Sequence, residues 1–247
     1  MISRFKIRFA ATLWLAGMVS TALVAIFVVP ILVADQTLPL PLWAISAISF
    51  AQGGVLLALA VWAGCALAPK LGLRAPVFEA LAGSTPVVAA LRPLLVPGLL
   101  GGLVGGAFLI AITYAAPPEL AAAAQKIVLP LYVRILYGGI TEELLLRWGV
   151  MSLILWLLWR FVQRSPGQPT ALLVWVAIVG SAVLFGVGHL PAAQALVGSL
   201  TFQVVVFVVV GNAAFGALVG WLFWHFGLES AMLAHAVAHV VAYVAGQ

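Results

Sequence analysis

The sequence predicts an all-α, polytopic membrane helix bundle of about seven to eight transmembrane helices. Three observations lead there. Of the 247 residues, 65% are hydrophobic and 7% charged, whereas a soluble domain is about 45–50% apolar and about 25% charged. Mean hydropathy is +1.24. Apolar runs long enough for a hydrocarbon core, which takes about 20 helical residues, recur along the chain and are punctuated by Pro, Gly or charge. Length and composition predict one integral membrane domain over 1–247, with accessory helices in 1–115 and the chemistry-bearing helices in 125–245. They leave no room for a second, soluble domain.

The elements follow in order. Arg4, Lys6 and Arg8 precede an apolar stretch from Phe9 to about Ala34. A cleavable signal peptide's apolar region runs about 7–15 residues, so this longer stretch is expected to be the first span. Further spans are expected near 42–67, 94–115, 127–163, 170–190, 201–224 and 229–245. The longest polar interruption, 68–92, holds Lys70, Arg74, Pro76, Glu79 and Arg92 and is expected to form an interfacial amphipathic helix. Gly98, Gly101, Gly102, Gly105 and Gly106, and later Gly216 and Gly220, are spaced for close helix packing.

Alternating spans put Arg4, Lys6, Arg8, Lys70, Arg74, Arg92, Arg160 and Arg164 on one side and mainly Lys126 on the other. The positive-inside rule then puts the N-terminus in the cytoplasm and the C-terminus outside, as in a plasma (inner) membrane. The net charge of +5 is dispersed among short connections with no basic stripe, which argues against a nucleic-acid partner. Cys65 is the single cysteine, so neither an intramolecular disulfide nor a cysteine metal site is available.

Against this background, Glu142, Glu143 and Arg147 stand out. Only six acidic residues exist, and two lie side by side within apolar sequence, where burial of charge is costly enough to mark function. In an α-helix Glu143 and Arg147 share a face and Glu142 is turned about 100° away. Pairing of Glu143 with Arg147 leaves Glu142 free to face a cavity and exchange protons. His189, between Gly188 and Pro191, has room around its ring, and His235 and His239 share one stripe of the last span. His225, beside Gly227, reads as an interfacial residue.

Two chemistries suit this set. Glu142 and His189 can activate a water while His235 and His239 stabilise an oxyanion, or Glu142, His189 and His235 can hold zinc. A proton-coupled transporter using the same groups as a relay, and a non-catalytic peptide-binding protein, are the rival readings.

The order E-E-x-x-x-R (Glu142, Glu143, Arg147), F-x-x-x-H (Phe185, His189) and a late H-x-x-x-polar (His235, His239) resembles the CAAX protease and bacteriocin-processing family of intramembrane endopeptidases. Gly211, Asn212, Gly216, Gly220 and Gly227 resemble the glycine-rich helix and turn before its last motif. The likeness covers roughly 125–245. It implies that Glu142 and His189 polarise water, that His235 and the residue four on bind the developing negative charge, and that Arg147 holds the glutamate pair. The family usually has Asn or Asp where this chain has His239. A peptidase without cofactor is the favoured expectation, zinc the alternative, and the expected partner is a membrane-embedded or membrane-associated peptide met within the lipid bilayer.

Helix arithmetic conflicts with this convergence. At about 1.5 Å per residue, Glu142 lies roughly 22 Å from a boundary at Ile127, whereas His189 lies almost at that boundary if its span ends at 190.

Overall fold

The computed structural model describes residues 4–34, 37–126 and 129–246. Seven helices in it are long and apolar enough to cross a membrane, and no strand occurs among the described residues. They are α1 (Arg4–Leu32), α2 (Leu42–Leu71), α4 (Val87–Thr113), α6 (Leu131–Gln163), α7 (Ala171–Val197), α8 (Phe202–Phe226) and α9 (Leu228–Ala245). Two short helices, α3 (Pro76–Gly83) and α5 (Pro118–Lys126), lie between spans. The chain is an all-α integral membrane protein.

Helix ends are set by local chemistry. Pro41, Pro86 and Pro130 each precede a span in extended conformation, where a missing N–H costs the helix nothing. Gly227, at φ 102°, makes the sharp turn from α8 into α9, a backbone state that a side chain would strain.

Expected and observed boundaries differ in four places. The first span takes in Arg4, Lys6 and Arg8 rather than starting at Phe9. The polar interruption 68–92 is not one amphipathic helix. It divides into a 3₁₀ turn at Ala68–Leu71, the short α3, and the start of α4 at Val87, because Gly72, Pro76 and Pro86 each break the run. Ile127 lies outside the described residues, as does the side chain of Lys126, and the fourth span is helical from Leu131. The fifth span runs past 190 to Val197.

The glycines of α4 do what their spacing predicts. A Cβ on Gly102 would lie 2.5 Å from Val237 Cβ and 3.0 Å from the Ala234 carbonyl, and one on Gly98 would meet Leu233. Gly101 and Gly105 face Leu222 and Phe215 of α8. So α4 lies against α9, and α9 is pressed from its other side onto α6, where Gly139 abuts Ala236 and the Met232 carbonyl. The buried core gathers Leu13, Leu57, Leu144, Trp148, Ile178 and Phe223.

Candidate active site

α6 is the unusual element. Over Arg134–Glu142, Leu144–Met151 and Trp159–Gln163 its hydrogen bonding is that of a π-helix rather than an α-helix. Such widened turns are uncommon and cluster at functional sites. The 3.6-residue arithmetic assumed from sequence therefore does not apply along the glutamates, although Glu143 and Arg147 still meet. Buried hydroxyls hold this stretch against α1: Thr141 Oγ1 donates to the Gly17 carbonyl at 2.9 Å and lies 2.5 Å from Ser20 Oγ. Glu142 is the next residue.

α7 breaks at His189. Pro191 has no N–H to continue the ladder, and the His189 N–H turns to the Gly186 carbonyl at 3.1 Å. The Phe185 carbonyl accepts instead from the His189 ring, Nδ1 to O 2.9 Å. A carbonyl can only accept, so Nδ1 carries the proton and Nε2 is left to face Glu142 Oε1 at 3.8 Å. The depth conflict goes because α6 is helical from Leu131 and α7 runs on past His189 to Val197. Glu142 lies eleven residues from the start of α6 and His189 eight from the end of α7.

Glu143 and Arg147 are fully buried. Their closest approach, Nε to Oε2, is 3.3 Å, an ion pair by distance in which neither atom is aligned for a hydrogen bond. Arg147 gains further support from its NH2 donation to the Gly216 carbonyl at 3.0 Å and from the Phe185 ring, 5.1 Å from Cζ to centroid. The guanidinium thus ties α6 to α7 and α8.

Glu143 has a second partner that sequence reasoning missed. Its Oε1 accepts from His235 Nδ1 at 2.7 Å, which turns His235 Nε2 towards Glu142 Oε2 at 3.8 Å. Phe215 packs edge-on against the His235 ring, centroids 4.7 Å apart. His239 stacks one turn on, at 5.0 Å and 27° between planes. Gly138 makes room for both rings: a Cβ there would lie 2.8 Å from His239 Nε2 and 2.9 Å from His235 Nε2. The missing side chain at 138 left no distinct pattern in the sequence.

Glu142, His189, His235 and His239 all line one cavity of about 440 Å³, together with Arg134, Tyr137 and Asn212. Glu142 keeps 14% of its side-chain surface and His189 36%, while His235 keeps 3%. Gaps of 3.8 Å are too long for direct hydrogen bonds and leave space for a bridging water. His225 is elsewhere, exposed and bonded to the Trp221 carbonyl at 3.0 Å. Among the described residues no group of three or more His, Cys, Asp or Glu is arranged to hold a metal ion; the donors nearest to such a set are Glu142, His189 Nε2 and His235 Nε2.

The all-helical bundle brings a carboxylate and imidazoles into one cavity among its spans. Residues 124–241, a little under half of the chain, match the family model described as Rce1-like: Type II CAAX prenyl endopeptidase Rce1-like. Over that segment the chain is similar to the Rce1-like family, which is one of endopeptidases. No curated protein matches the chain, and no solved structure does.

Proposed function

We propose that this protein is an intramembrane endopeptidase that hydrolyses a peptide bond of a membrane-embedded, membrane-associated or lipidated peptide. Glu142 and His189 activate water and His235 and His239 stabilise the oxyanion. The observation that carries this reading is the convergence of Glu142 with the Nε2 atoms of His189 and His235, each 3.8 Å away. A water between them gives one proton to Glu142, and the other points at the free Nε2 of His189. The oxygen so released adds to the scissile carbonyl carbon. His235, in its imidazolium form paired with Glu143, donates from Nε2 to the resulting oxyanion, and His239 donates a second hydrogen bond. Collapse of the tetrahedral species breaks the C–N bond, and the proton held by Glu142 passes to the leaving amine. Glu142, Glu143, Arg147 and His235 then sum to no net charge, which suits burial in lipid.

The orientation proposed with it has the N-terminus in the cytoplasm of a cell bounded by a plasma (inner) membrane. The test is Glu142→Gln. Cleavage should fall by a factor of about 10² to 10⁴, the usual contribution of a general base, at unchanged expression. Retained cleavage would overturn the assignment, and retained cellular function with no cleavage in either protein would favour a binding role. For the oxyanion, His239→Ala should cost about 10² to 10³ in rate, whereas His239→Asn, still a donor, should keep most of it.

Zinc is the second reading, favoured by one observation. The ring Nδ1–H groups of His189 and His235 are held by a backbone carbonyl and a carboxylate, the support usual for metal-binding imidazoles. Bound at Glu142, His189 and His235, zinc would polarise the substrate carbonyl or acidify a water. Cleavage that resists prolonged chelation supports the metal-free route; cleavage lost to chelator and restored by zinc supports the other.

A further inference from the structure

The helix pair α1 and α2 is pinched over one half of its length and open over the other. Gly17 faces Leu57, Gly53 faces Thr21 and Gly54 faces Met18, and Trp14 Nε1 donates to the Gly54 carbonyl at 3.1 Å. Towards the N-terminus of α1 the pair parts around a groove of about 580 Å³, lined by Ala10 and Trp14 of α1 and by Ala58, Trp62 and Cys65 of α2, with Lys6 at one end. Small side chains leave the space open, and its volume is that of a small-molecule site. None of these residues lines the cavity that holds Glu142.

The groove is apolar along its walls and cationic at one end. The register of the pinched half, carried back along α1, sets Lys6 level with the end of α2, where Lys70 lies in the 3₁₀ turn Ala68–Leu71. Both lysines are exposed, and among the described residues no carboxylate lines the groove. Ala, Val and Ile side chains satisfy no peptide backbone, which selects a hydrocarbon chain over a polypeptide as the occupant. Two amines at the mouth favour a negative headgroup over a zwitterionic one, as basic pockets between spans do. We propose that the groove is a binding site for one anionic phospholipid, with an acyl chain along Ala10, Trp14, Ala58 and Trp62 and the phosphate between Lys6 and Lys70. A lipid seated there bridges α1 and α2, and so steadies the helix whose Gly17 and Ser20 hold Thr141 beside Glu142. The site does not depend on proteolysis.

The test is lipid retention. Full-length protein in detergent, supplied with equal amounts of phosphatidylglycerol and phosphatidylcholine bearing the same acyl chains, is read by native mass spectrometry. One phosphatidylglycerol should be retained per protein, favoured about tenfold or more over phosphatidylcholine, since each lysine near an anionic headgroup contributes about fivefold. Lys6→Gln with Lys70→Gln should abolish the preference, whereas Lys6→Arg with Lys70→Arg should keep it. Ala58→Phe, which fills the groove and leaves both amines, should abolish retention of either lipid. Phosphatidylglycerol should raise the melting temperature of the parent protein, because it binds the folded state, and leave that of the Ala58→Phe variant unchanged. Equal retention of the two lipids by the parent, or a preference that survives loss of both lysines, overturns the proposal. So does an equal fall on Arg92→Gln, which removes a charge from the same end but does not line the groove, because the attraction is then that of the basic end as a whole. Retention unchanged by Ala58→Phe places no chain in the groove and overturns the site.

Discussion

At the scale of single residues, the site depends on charges that are buried in company. Arg147 has one carboxylate, one carbonyl and one aromatic face around it, and removing one member of a buried pair costs about 3–5 kcal/mol, since the other is left uncompensated. Arg147→Met is therefore expected to lower stability by about that much, read as thermal unfolding in detergent. An unchanged melting temperature would mean that Glu143 is supported by His235 alone. Gly138→Ala is the complementary case. Its Cβ would press on the Nε2 atoms of His235 and His239, so cleavage should fall by more than the loss of stability accounts for, and a crystal or cryo-EM structure should show both rings displaced.

At the scale of elements, departures from regular helix build the cavity: the widened turns of α6 and the break in α7, besides the π turn Val24–Val28 in α1. Pro191→Ala tests the second. With an N–H restored at position 191, the ladder can close on the Val187 carbonyl, and the His189 N–H can return to Phe185 and displace the ring. Pro191 lies in the first turn after the break, where proline costs a helix little, so the variant should unfold at much the same temperature yet cleave more slowly. Faster cleavage would show that the break does not position His189. α3 is fastened differently. Glu229 Oε1 accepts from the Val77 and Phe78 N–H groups at 2.8 and 2.9 Å, taking up donors that a helix start leaves unpaired. This carboxylate lies at the opposite end of α9 from the cavity and reads as a tie between α3 and the bundle.

On the scale of the whole molecule, seven alternating spans gather Arg4, Lys6, Arg8, Lys70, Arg74, Arg92, Arg160 and Arg164 at one end. The cavity is reached from the other end. Its wall comes from Val28 and Leu32 late in α1, Ile112 late in α4, and Arg134 early in α6. In the proposed orientation, with the basic end in the cytoplasm, a substrate would enter from the opposite face or its leaflet. Cysteine labelling checks this in a Cys65→Ser background. A membrane-impermeant maleimide should label Tyr114→Cys in intact cells and Ser165→Cys only after permeabilisation; the reverse pattern would invert the protein and place the site on the cytoplasmic side.

Much of this was legible in the chain. Composition and run length alone predict the bundle, since lipid forces every spanning backbone to satisfy itself, and the glycines of α4 already marked a close helix contact. Glu142, Glu143, Arg147, His189, His235 and His239 could be singled out because charge and imidazole are rare and expensive in such sequence. What sequence alone determined was therefore the solvent, the fold class and the residues that require explanation. Only the tertiary structure decided that Glu143 serves His235 as well as Arg147, that α6 unwinds to π geometry, and that α7 runs on past His189, which puts that ring at the depth of Glu142. Those outcomes depend on which hydrogen-bond partner each backbone and ring nitrogen finds across helices, a choice that contacts between distant segments make and local periodicity cannot.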